Sequence, residues 1–215
     1  MNPATNIWHW LAALDPRIWQ AVLAGTFVAL GWVFNGWQNR REAANLRSER
    51  LRDVHRALYA EIGANLSNLL SADHLDEECV AGLEKIEAKK PGDPYVPFIG
   101  KESRDQIFQA IVGDIHVLPR TSIDAVVPYY AQVSAIAAMI EDLRGTTYAS
   151  LSQDRRKQIY ADYMAMKQQA LLFGNHALRM INAYATQGAD YAKELEARLR
   201  DDAASNHLAA DRSDP

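Results

Sequence analysis

Apolar positions along this chain fall into three successive patterns. The first is a block. Residues 18–39 (IWQAVLAGTFVALGWVFNGWQN) give 22 positions without a charge, bracketed by Arg17 and by Arg40 and Arg41. At the helical rise per residue the block is about 33 Å long, close to the ~30 Å hydrocarbon thickness of a bilayer. It predicts a transmembrane helix over residues 18–39; an unusually apolar core helix is the competing account.

The second pattern is a stripe. Leu51, Val54, Leu58, Ile62, Leu66 and Leu69 step by three and four, the period of an amphipathic helix burying one face. If no break intervenes, one helix runs from about residue 18 to about residue 70.

The third pattern is a seam. Ile159, Tyr163, Met166, Ala170, Phe173, Ala177, Met180 and Tyr184 alternate by four and three, as along the contact line of a helix bundle or coiled coil. Leu171, Leu172, Leu178 and Ile181 widen it, which suits the centre of a bundle better than a two-stranded zipper.

Shorter helical stretches lie between. Val80, Leu83 and Ile86 follow a start at Asp73 or Asp76; Ile107, Phe108, Ile111 and Ile115 follow Ser103. A helix from Thr121 or Ser122 carries Pro128 inside it, predicting a kink, and ends at Gly145. Prolines 91, 94 and 97 stand every third residue, as in polyproline II, although a crossover loop packing Tyr95, Val96 and Phe98 explains them more simply.

No segment shows sustained strand alternation. The expected fold class is all-α: one N-terminal transmembrane helix continuing into a cytosolic antiparallel helical bundle. Residues 1–17 form a short external leader, 18–39 the span, 40–200 the bundle domain and 201–215 a disordered tail.

Tryptophan placement sharpens the membrane expectation. All five (Trp8, Trp10, Trp19, Trp32, Trp37) lie in the first 37 residues, and indole favours the headgroup region. Trp8, Trp10, Trp19, Trp37, Arg40 and Arg41 are therefore expected at the membrane interface, with the leader either an in-plane helix or an irregular segment anchored by its indoles. Ala21, Gly25 and Ala29 recur every four residues, a spacing that lets two spans approach closely and self-associate.

Basic residues set the orientation. Arg40, Arg41, Arg47, Arg50, Arg52 and Arg56 follow the block, and Arg17 alone precedes it, so the bulk of the chain is expected in the cytosol. The arginines serve as this topology signal and solvate the helix; a basic cluster at that level also attracts anionic lipid. A lone cysteine, Cys79, agrees with a reducing compartment. The long block and the Arg pair after it argue against a cleaved secretory signal.

Charge and motifs mostly exclude. A formal net charge of −4 and a pI near 5.9 argue against general nucleic-acid binding, which needs a basic face. There is no phosphate-binding glycine loop, no Gly-x-Ser-x-Gly elbow and no pair of histidines at i, i+4. His74 with Glu77, beside Asp76, Glu78 and Cys79, offers at most half a metal site, and a solvated acidic helix start accounts for it better. Tyr129, Tyr130, Tyr160, Tyr163 and Tyr184 are expected to pack in the core, an intrabundle pocket being the alternative.

The layout resembles that of small bacterial inner-membrane proteins with one N-terminal span and a cytosolic helical domain. The expected function is a non-catalytic, cofactor-free scaffold or protein-interaction module at the cytosolic face of the inner membrane. Its expected partners are the bilayer, an unidentified protein and a second copy of the chain. The alternative is a membrane-acting effector or sensor whose span self-associates on a signal read by the bundle. An enzyme with a site between helices is the third option.

Overall fold

The computed structural model describes residues 15–69, 71–89, 95–97, 99 and 105–210, and no strand occurs among them. The chain is all-helical among these residues. Seven α-helices carry it: α1 Pro16–Leu69, α2 Ala72–Glu87, α3 Gln106–Ile111, α4 Arg120–Arg144, α5 Thr146–Ser150, α6 Gln153–Gln187 and α7 Ala189–Ala210. A 3₁₀ segment, Val112–Val117, follows α3. The leader with Trp8 and Trp10, Ser103, and prolines 91 and 94 lie outside the described residues.

The chain divides into two compact units, Met1–Glu49 and Arg50–Pro215. In the first, α1 begins as its local sequence dictates: Asp15 precedes Pro16, and the Asp15 carboxylate accepts from Arg17 N at 2.9 Å, an N-cap ahead of a proline at the first helical position. The Thr26 hydroxyl donates to Val22 O at 2.7 Å and so satisfies itself within the helix.

The second unit is organised around α6, on which α2, α4 and α7 pack. One apolar cluster joins Leu58, Ile62 and Leu66 of α1, Val126 and Tyr129 of α4, Met180 and Ile181 of α6 and Ala192 of α7. A second joins Leu75 and Ile86 of α2, Leu143 of α4, Tyr148 of α5 and Tyr160, Tyr163 and Met164 of α6. Two glycines permit close approach. A Cβ at Gly174 would meet Leu66 Cδ2 at 2.6 Å, and one at Gly82 would clash with the Tyr160 ring.

Helix ends follow local chemistry, with some shifts from the sequence expectation. Ser71, not Asp73 or Asp76, caps α2: its Oγ accepts from His74 N at 3.2 Å, and Asp73 lies in the first turn. The Ser71 hydroxyl, just ahead of the first helical residue, reaches the third amide without a charge having to leave water. α4 starts at Arg120 behind Pro119, and Thr121 and Ser122 are buried within it. Ser152 caps α6 as its position suggests, accepting from Arg155 N at 3.3 Å. Gly188, at φ 88°, ends α6 while its N–H donates to Tyr184 O; the left-handed conformation favours glycine there. The last helix runs through residues 201–210, where alanine content supports a helix that has little apolar surface to bury.

Among the described residues, Arg120–Arg144 is the helix long and apolar enough to cross a membrane, with mean hydropathy 1.4.

Candidate functional site

Two features of the structure offer surfaces for function, one in each unit. In the first unit the uncharged run presents its large side chains outward: Phe27 is 72% exposed, Val28 71% and Trp32 84%. Trp19 and Trp37, expected at the interface, are exposed on this helix, as are Arg40 and Arg41. The Arg41 guanidinium lies 5.4 Å from the centroid of the Trp37 ring, a cation–π contact. Ala21, Gly25 and Ala29 are exposed too, and a Cβ at Gly25 would meet nothing within 4 Å.

In the second unit a cavity of about 140 Å³ opens between α1, α4 and α6, lined by Asn65, Tyr129, Val133, Ile140, Tyr163 and Lys167 among others. Tyr129 and Tyr163 therefore border a small void. The Lys167 ammonium pairs with Glu78 at 2.8 Å and lies 5.6 Å from the Tyr163 ring centroid. The void is large enough for a benzene-sized body, and its polar edge is already engaged by that ion pair.

The seam residues lie along α6 with Tyr163, Ala170, Ala177 and Met180 buried and Ile159, Met166, Phe173 and Tyr184 half-buried. Leu172, assigned to the neighbouring stripe, is instead 69% exposed.

Three polar groups inside the second unit carry more structure than their sequence context suggests. His55, on α1, is buried with its Nε2 at 2.9 Å from Ser122 Oγ of α4 and its ring edge-on to Tyr184. Burial holds the imidazole at about 4, well below its usual 6.5. Glu61 accepts from Ile107 N at 2.7 Å, Phe108 N at 3.1 Å and the Tyr130 hydroxyl at 2.6 Å. One carboxylate thus caps α3 from a distant helix, and Phe108 stacks on Tyr130 with centroids 4.0 Å apart. Burial, then the bond to Glu61, pushes the Tyr130 hydroxyl pKa far up. Buried Arg156 donates to Ala149 O and Leu151 O, satisfying carbonyls at the end of α5.

The acidic stretch at the start of α2 disperses. Glu78 pairs with Lys167, Asp76 accepts from Gln168, and His74 and Glu77 are exposed. Burial, then Asp76 and Glu78, raise the Cys79 thiol pKa. Among the described residues no group of three His, Cys, Asp or Glu side chains is placed to hold a metal ion. His116 is exposed, and burial lowers the half-buried His176.

Glu61, Lys167 and Arg156 could not be singled out from sequence. Their partners lie 46, 89 and 7 residues away at Ile107, Glu78 and Ala149, and no local pattern announces such pairings. No family model matches the chain, and neither a curated protein nor a solved structure is similar to it.

Proposed function

We propose that this protein is a membrane-anchored, non-catalytic helical module that acts by binding a protein partner or a second copy of itself. Residues 18–39 cross the inner membrane once, the leader faces outward, and residues 40–200 form an antiparallel bundle in the cytosol. One observation carries the reading: the uncharged run of α1 exposes Phe27, Val28, Trp32 and Val33, each at least 70% accessible. Transfer of apolar area out of water is favourable at about 25 cal/mol per Å², and large exposed apolar patches on a folded chain mark membrane or protein contact. Lipid is the occupant favoured by the lack of charge from Ile18 to Asn39 and the arginines after it.

The test is crosslinking in intact membranes followed by purification, with reporters fused at the C-terminus. The reading expects a cytosolic reporter signal and a defined crosslinked species, either a dimer or one specific partner. A reporter active only on the outer side, or a chain that crosslinks to nothing, would end it.

A second reading has an observation of its own. The open space at Gly25 lies on the same exposed run as Ala21 and Ala29, leaving that face free for a second span and for an effector that assembles in the bilayer. Gly25→Ile meets no obstacle within the monomer. It should abolish dimer crosslinking and activity while membrane insertion persists; unchanged dimer would remove this second reading and leave the first in place.

A further inference from the structure

At the C-terminal end of the uncharged run, α1 has a notch of about 580 Å³ beside Gly36, bordered by Trp32, Val33, Trp37, Asn39 and Arg40. Trp32, Gly36 and Arg40 are spaced four residues apart and so share one face, with Val33 and Trp37 on the stripe beside it. The composition changes along that face from an indole and a valine to an amide and a guanidinium. Gly36 supplies a bare backbone floor, where a Cβ would meet nothing within 4 Å.

From this gradient we infer a binding site for an anionic phospholipid. The acyl chain lies over Gly36 against Trp32 and Val33, and the phosphodiester meets Arg40 and the Asn39 amide. Arg41, held over the Trp37 ring at 5.4 Å, adds a second positive charge at the same level. Among the described residues neither Arg40 nor Arg41 has a carboxylate within ion-pairing distance. The nearest acid in sequence, Glu42, accepts from Gln38 Nε2 at 3.3 Å. The ligand is a lipid rather than an acidic peptide because the apolar half of the notch continues an uncharged helical run, and a peptide gains nothing from that half. The inference rests on the membrane-anchor reading and adds the lipid class to it.

The experiment keeps the full chain and leaves Trp32 and Trp37, both at the notch, as its two tryptophans through Trp8→Phe, Trp10→Phe and Trp19→Phe. Fluorescence is measured in phosphatidylcholine vesicles containing either brominated phosphatidylglycerol or brominated phosphatidylcholine at equal fraction. The two indoles should be quenched by both lipids, and the chain should bind the anionic one on the order of fivefold more strongly. The preference should shrink as salt rises. Arg40→Gln with Arg41→Gln should bring the ratio to one, and Gly36→Leu should lower it by filling the notch, both with quenching by phosphatidylcholine retained. Equal quenching by the two lipids in the parent chain overturns the lipid site and leaves the anchor standing. Absence of quenching by either overturns the anchor itself.

Discussion

The first half of α1 and the whole of α4 are both long, apolar helices, yet they treat their side chains in opposite ways. α4 turns its large residues inward, burying Val126, Tyr129, Tyr130 and Leu143, and exposes mostly small ones such as Ala131, Ser134, Ala135 and Ala138. Only 22% of its most apolar window is buried, because alanine supplies much of the hydropathy on its outer face. The uncharged run of α1 does the reverse, exposing Phe27, Trp32 and Phe34. Length and hydropathy do not tell the two helices apart; the size of the exposed side chains separates a helix that has covered its apolar surface from one that has not.

That contrast can be broken at either helix. The largest effect is expected from Val126→Asp, which places an unpaired carboxylate at a fully buried position. It should destabilise the second unit by at least about 4 kcal/mol, read by thermal melting of the full chain in detergent. Phe27→Arg, at a 72% exposed position, should leave that melt unchanged. It should cost about 2.5–3.5 kcal/mol of membrane insertion instead, read by the membrane-bound fraction. A melt that falls with Phe27→Arg would mean that this run packs on protein.

His55 sharpens the α4 side of the comparison, since it joins α1 to Ser122 of α4. The folded imidazole takes its proton near 4 and the unfolded one near 6.5, so between those values the unfolded chain binds more protons. The contribution is therefore complete above about pH 6.5 and is lost as pH falls towards 4, by on the order of 3 kcal/mol. Stability measured against pH should show this loss, and His55→Gln should flatten it. The smallest effect is expected from Tyr130→Phe, which removes one hydrogen bond to the Glu61 carboxylate. It should cost about 1.5 kcal/mol, with faster amide exchange at Ile107 and Phe108 if Glu61 then holds α3 less firmly.

Periodicity made much of the helical content legible. The three-and-four steps from Leu51 to Leu69 lie on α1 with Leu58, Ile62, Leu66 and Leu69 buried, because a 3.6-residue period leaves one face for the core. Ser152 and Gly145 marked a helix start and end for reasons local to a few residues. Ser71 is not distinguished as a cap by sequence because two aspartates nearby offer the same chemistry. The Glu61 cap on α3 and the His55–Ser122 pair were not legible, since each joins residues more than forty positions apart. Leu172 shows the limit of a stripe drawn from sequence: a heptad neighbour is buried only where another helix covers it, and none covers Leu172.

The central claim is that the uncharged helix lives in lipid, and alkaline carbonate extraction of membranes containing the full-length chain tests it directly. The account predicts that the protein stays in the washed membrane pellet and is released only by detergent. Recovery of intact chain in the carbonate supernatant would contradict it.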